Sequence, residues 1–214
     1  MSDRVEWPVM RRSLVAILRG VKPDEVLPIV ETLIEVGFEA IEVPLNSPDP
    51  FRSIENAQSR FGADCLIGAG TVLTTQDVDR LGDIGARLVV SPNVDPEIIS
   101  RSKTLGLVSM PGVFTPSEAF LALKSGASAL KFFPAGSLGP EGIKATRAVL
   151  PAHTVIGVVG GVSHMDFGAY VEIGVRTFGL GSSLYRPGDM SAVVRDRARS
   201  AIAAYDEIFA EDAS

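Results

Sequence analysis

Eight short apolar runs, spaced almost evenly along 214 residues, constrain this chain more than any other feature. They begin near Leu14 (LVAIL), Ala40 (AIEV), Leu66 (LIGAG), Leu88 (LVVS), Leu107 (LVSM), Ala129 (ALKFF), Val155 (VIGVV) and Thr177 (TFGLG). Runs of this length and apolarity read as strands buried on both faces, as in a parallel sheet. Between them, apolar residues recur at helical spacing. Val26, Ile29, Val30 and Leu33 form one stripe, and Phe120, Leu121 and Leu123 belong to another. Lys22-Pro23-Asp24-Glu25, Asp95-Pro96-Glu97 and Thr115-Pro116-Ser117-Glu118 place proline and acids in first turns. Gly37, Gly85, Gly106, Gly126 and Gly174 stand where helices should end before the next strand. The alternation predicts an α/β fold, a (β/α)8 TIM barrel forming a single domain over 1–214. An open doubly wound sheet is the rival, disfavoured because no Gly-x-Gly-x-x-Gly follows the first run. Arg4 to Arg12 are expected to form a short N-terminal helix, and the acidic stretch Glu207 to Ser214 is expected to fray.

Composition narrows the function. No stretch of about 18 apolar residues suggests a membrane span. The first residues mix charges without an apolar core, so a cytoplasmic location is expected. A net charge of −6 without a basic stripe argues against nucleic acid. Cys65 is the only cysteine, which rules out an intrachain disulfide and reads as a small buried hydrophobe. The two histidines, His153 and His164, have no partners at ligand spacing, so no metal site is expected.

The sixth run, Ala129-Leu-Lys-Phe-Phe-Pro134, carries a lysine where a buried strand should be apolar. A desolvated lysine is a candidate nucleophile towards carbonyls. Strand parity gives it a direction. Leu130 and Phe132 share the face that should meet helices, leaving Ala129, Lys131 and Phe133 inward. In the second run Ala40 and Glu42 are left inward by the same test, and in the first Val15, Ile17 and Arg19. Catalytic groups of this fold lie at the C-terminal strand ends. Arg19, Glu42 and Lys131 should therefore converge on the barrel mouth. There the lysine would condense with a ketone, the glutamate would shuttle protons and the arginine would hold a carboxylate. A structural ion-pair triad is the alternative reading.

Strands seven and eight end in Val159-Gly160-Gly161-Val162-Ser163 and Gly179-Leu180-Gly181-Ser182-Ser183. Loops at these positions commonly hold phosphate in this fold, although glycine pairs also serve tight turns. Gly68-Ala69-Gly70-Thr71-Val72 and Ser91-Pro92-Asn93 put Thr71 and Pro92 at the mouth, as substrate contacts or as loop punctuation.

Taken together, Ile17-Leu-Arg-Gly20, Gly37 to Pro44, Gly68-Ala-Gly-Thr-Val72, Ser91-Pro-Asn93, Ala129 to Pro134, Gly160-Gly161 and Gly181-Ser182 resemble the class I 2-keto-3-deoxy-6-phosphosugar aldolases, the family of KDPG and KDPGal aldolases. The resemblance implies that Lys131 forms a Schiff base with the C2 ketone and that Glu42 is the acid/base. It implies that Arg19 and Thr71 bind the pyruvoyl carboxylate and that Phe133 packs beside the lysine. Gly160, Gly161 and Ser182 would take the phosphate, with Pro92, Val159 and Gly181 completing the substrate site. It also implies no cofactor, a homotrimer, and as partners a phosphorylated sugar acid and pyruvate. Leu45-Asn46-Ser47 stands where the gluconate branch carries Leu-Arg-Thr, and Val159 where it carries threonine; both resemble the galactonate branch. A valine cannot hydrogen-bond the C4 hydroxyl that a threonine can. A gluconate-type aldolase is the alternative. A phosphosugar isomerase or epimerase barrel is a more distant one and would leave Lys131 unexplained.

Overall fold

The computed structural model describes residues 4–211. Its strands are β1 (Leu14–Ile17), β2 (Ala40–Pro44), β3 (Leu66–Gly70), β4 (Leu88–Val90), β5 (Val108–Met110), β6 (Gly112–Val113), β7 (Leu130–Phe132), β8 (Ile156–Val159) and β9 (Thr177–Leu180). Neighbours pair in parallel in the order β5-β4-β3-β2-β1-β9-β8-β7-β6. The two end strands are one run of chain, parted only by Pro111, so the sheet closes into a barrel. Proline has no N–H to give a ladder. Its carbonyl still accepts from Lys131 N–H at 2.9 Å. The eight expected strands are therefore all present, the fifth of them divided.

The helices are α1 (Val26–Val36), α2 (Pro50–Phe61), α3 (Thr75–Ile84), α4 (Pro96–Thr104), α5 (Pro116–Ser125), α6 (Ala135–Arg147), α7 (Phe167–Val171) and α8 (Ser191–Glu211). Local chemistry sets their ends. Thr115 and Glu118 form a reciprocal capping box at the start of α5. Asp95 accepts from Glu97 N–H and Ile98 N–H ahead of Pro96. Gly37 closes α1 at φ 113°, donating to the carbonyls of Leu33 and Ile34. The Lys22-Pro23 signal is less exact: those residues form a turn, and α1 starts at Val26. Helix α8 packs along α1 and closes the outer layer. It runs through Glu211, so Glu207 to Glu211 are helical rather than frayed. The last three residues lie outside the described ones.

Parity sorts the core into two clusters. Leu14, Ala16, Ile41, Val43, Ile67, Ala69, Val89, Leu130, Phe132, Val158, Phe178 and Leu180 pack outward among the helices. Val15, Ala40, Leu66, Leu88, Val90, Val108, Met110 and Ala129 fill the barrel interior. The expected N-terminal helix is absent. The backbone of residues 5–10 forms neither helix nor strand. It carries Val5, Trp7 and Met10 onto the interior cluster, plugging the end of the barrel opposite the mouth. Pro8 explains the departure: it has no N–H for a helical bond and biases Trp7 towards extended backbone. Beside the plug, buried Arg12 pairs in bidentate fashion with Asp206 of α8 at 2.6 and 2.7 Å.

Candidate active site

One step further along the same inward parity, the interior changes character. Glu42 and Lys131 point inward, with relative exposures of 2% and 5%. Lys131 lies in register between Gly112 on β6 and Gly157 on β8. Glu42 lies between Ile17 on β1 and Gly68 on β3. Glycines on β3 and β9 make room for this layer. A Cβ on Gly70 would overlap the Glu42 carboxylate itself, and one on Gly179 would come 2.6 Å from Val159. The lysine ammonium lies over the Phe133 ring, 4.8 Å from its centre.

Burial pushes the two ionisable groups towards each other's range. Glu42 is raised to about 7, first by desolvation, with Lys131 and Arg19 opposing. Lys131 is lowered, first by desolvation and further by Arg19, while Glu42 holds it up. Glu42 Oε2 has no hydrogen-bond partner among the described residues. An unpaired buried oxygen is costly, and at a barrel mouth that marks a group held ready for a proton. Cys65, by contrast, is a buried thiol raised to about 12, chiefly by desolvation. It is inert packing, as its sequence context suggested.

Beside this pair opens a cavity of about 390 Å³. Arg19, Phe133, Val159, Gly160, Gly161, Gly181 and Ser182, all named from sequence, line it. Gly160 and Gly161 have φ of 87° and 75°, left-handed values that glycine adopts without cost. Among the described residues, the N–H groups of Gly161, Val162, Ser182 and Ser183 donate to no backbone carbonyl outside regular elements. Free donors beside left-handed glycines are an arrangement that suits an anion. Two hydroxyls there are already engaged. Ser163 donates to Asp166 at 2.8 Å and Ser183 to the Val162 carbonyl at 3.1 Å.

Thr71 and Pro92 do not line this cavity. They follow the ends of β3 and β4, on the opposite side of the mouth. Thr71 sits at φ 56°, a genuine outlier for a β-branched residue. Ser91 donates to the Val72 carbonyl at 2.8 Å, tying the two strand-end loops together. Arg19 is held from the next strand: its guanidinium donates to Asn46 Oδ1 at 2.6 Å, while Gly20 N–H donates to Ser47 at 2.9 Å. Sequence reasoning passed over this partnership, and over Arg186 and Asp166 in the cavity wall. Each depends on loop geometry that strand parity does not reach.

A parallel barrel carrying a buried lysine–carboxylate pair beside donors that suit an anion fits a lysine-dependent carbonyl enzyme acting on anionic substrates. Residues 5–196 match the family model for KDPG and KHG aldolase. A Rhizobium meliloti (strain 1021) protein named probable 2-dehydro-3-deoxy-6-phosphogalactonate aldolase is 60% identical over 207 residues, 97% of this chain and 98% of the relative. The 2-dehydro-3-deoxy-6-phosphogalactonate aldolase of Escherichia coli (strain K12) is 44% identical over 203 residues, covering 95% and 98%. A solved structure described as native KDPGal superposes with a TM-score of 0.93 at 42% identity, covering 96% of this chain and 99% of that one. The chain belongs to the KDPG and KHG aldolase family.

Proposed function

We propose that this chain is a class I aldolase that reversibly cleaves 2-dehydro-3-deoxy-6-phosphogalactonate to pyruvate and D-glyceraldehyde 3-phosphate. The observation that carries the reading is the buried Glu42–Lys131 pair, its carboxyl raised and its ammonium lowered. The neutral Lys131 amine adds to the C2 ketone; Glu42 gives its proton to the carbinolamine hydroxyl, which leaves as water, and an iminium ion and the Glu42 carboxylate remain. Glu42 takes the proton of the C4 hydroxyl as the C3–C4 bond breaks. The bonding pair flows into the iminium, leaving an enamine and releasing the aldehyde. Protonation at C3 and hydrolysis then free pyruvate and regenerate the amine. A glutamate near 7 can both accept and return that proton at neutral pH.

In this reading Arg19 and Thr71 hold the carboxylate end, Phe133 and Pro92 flank the reacting carbons, and Gly160, Gly161, Gly181 and Ser182 take the phosphate. Val159 and the Leu45-Asn46-Ser47 loop favour the galactonate epimer, in agreement with the names of the relatives at 60% and 44% identity. The reading extends to a cytoplasmic homotrimer. Phe114, Phe120 and Leu121, exposed on and beside α5, offer apolar surface for contacts between copies.

Incubation with pyruvate, borohydride reduction and mass mapping test the chemistry: the adduct should fall on Lys131, and its absence there refutes the Schiff base. Comparing kcat/KM for the two 6-phospho epimers tests the substrate. A gluconate preference above about tenfold, roughly 1.4 kcal/mol, overturns the galactonate assignment. Sedimentation equilibrium reads the oligomer, and a monomer at micromolar concentration removes the trimer.

A further inference from the structure

The geometry points to Arg186 as a direct contact for the substrate's phosphate monoester, and so as the residue that sets preference for phosphorylated over unphosphorylated aldehyde. The inference rests on the phosphate reading of the Gly160–Gly161 cradle.

Arg186 lies four positions beyond Ser182, in the loop that leads from β9 towards α8, and it lines the same cavity as the two glycines. Its Nε donates to the Ser182 carbonyl at 3.1 Å. One edge of the guanidinium is thereby fixed to the strand end that supplies the cradle. The terminal Nη groups have no protein partner among the described residues and remain as a two-pronged donor. That fork matches two oxygens of a phosphate.

The loop beneath Arg186 is braced. Its backbone N–H donates to Asp189 Oδ2 at 2.8 Å, and Arg197 of α8 donates to the same oxygen at 2.5 Å. Arg197 also reaches the Leu184 carbonyl at 3.4 Å.

Charge bookkeeping gives the second reason. A cradle of backbone N–H groups offers dipoles but no net charge, whereas a phosphate monoester arrives close to a dianion. The cations lining the cavity are Arg19 and Arg186. Arg19 is tied to Asn46 and assigned to the carboxylate end, which leaves Arg186 for the phosphate. The carboxylate in the wall, Asp166, has Oδ2 occupied by the N–H and hydroxyl of Ser163, both at 2.8 Å. Arg186 is therefore the cation left in this wall to meet the phosphate.

The test uses aldol addition of pyruvate to D-glyceraldehyde 3-phosphate and to D-glyceraldehyde, with kcat/KM measured for each. Arg186→Ala should lower the ratio of the two values by about 30-fold, the loss expected for one charge-assisted hydrogen-bonding group. Arg186→Lys, which keeps the charge but not the fork, should recover part of that ratio. Borohydride trapping of pyruvate on Lys131 establishes that each variant is folded and competent for the first step. If Arg186 merely braces its loop, both aldehydes lose rate together; a ratio within about threefold of the unsubstituted protein in the alanine variant overturns the inference. A different result marks failure of the underlying phosphate reading. In that case the unsubstituted protein itself would show no preference for the phosphorylated aldehyde.

Discussion

The two ends of the barrel interior are built on the same strands, in the same parity, and differ by one inward step. At the closed end the inward residues are Val15, Ala40, Leu66, Leu88, Val108 and Ala129, sealed by Val5, Trp7 and Met10. At the mouth the inward residues are Glu42 and Lys131, with Ile17, Val90, Met110 and the glycines Gly68, Gly157 and Gly179 on the other strands. Large apolar side chains turn the first layer into a solid core. The second layer holds the two ionisable groups, with Gly70 leaving space for the Glu42 carboxylate and Gly179 for Val159. The chemistry is thus placed on strands rather than on loops, with desolvation supplied by the layer beneath it.

The sharpest way to break this contrast is at the proposed nucleophile. Lys131→Ala should lower kcat/KM by about 10⁴-fold or more while abolishing the borohydride adduct. Glu42→Gln should cost about 10²- to 10⁴-fold in turnover, as expected for loss of a proton shuttle, with substrate binding retained. The same variant has a second, thermodynamic signature. Glu42 titrates at about 7 in the folded chain against 4.5 when free, so the folded state keeps a proton that the unfolded state has lost. Stability contributed by this group therefore falls as pH rises from about 4.5 to 7 and is level on either side. Tm measured across that window should decline less in Glu42→Gln; an identical slope shows that Glu42 is not held neutral by burial.

Gly70→Ala tests the space in the second layer rather than the reagents. The new methyl would occupy the position of the Glu42 carboxylate, and turnover should fall by about tenfold to a hundredfold as the proton shuttle is displaced. An alanine accepted without loss would mean that the carboxylate has other productive positions. Trp7→Ala addresses the closed end. It should lower stability by about 2 kcal/mol, less than a fully buried tryptophan because Trp7 is half-buried. Its kcat/KM should stay within about threefold, and a larger activity loss would show that plug and mouth are coupled.

Much of this was legible in the sequence because it is local. Strand period two fixes which residues face inward, so Arg19, Glu42 and Lys131 could be aimed before any coordinates, and the two core clusters follow the same alternation. Helix caps at Thr115 and Asp95 are likewise written in a few consecutive residues. What escaped depends on distant partners. The N-terminal segment could not be recognised as a plug because its conformation is chosen by the interior it covers and by Pro8. Asn46 stands out in the sequence only as a departure from the gluconate branch; its partner Arg19 comes from the neighbouring strand end. Arg186 lies beyond the last strand, where parity says nothing, and only the folded loop carries it into the cavity. Thr71 and Pro92 follow the ends of β3 and β4, on the other side of the mouth from the Gly160–Gly161 wall.

Thr71 has a consequence for anyone reshaping this protein. A β-branched residue held at φ 56° gives up about 1–3 kcal/mol relative to relaxed backbone. Glycine would adopt that conformation without strain. A screen that selects only for heat resistance would therefore favour Thr71→Gly and would discard a hydroxyl at the barrel mouth in the process. At this position thermal endurance and the carboxylate contact proposed for Thr71 pull in opposite directions.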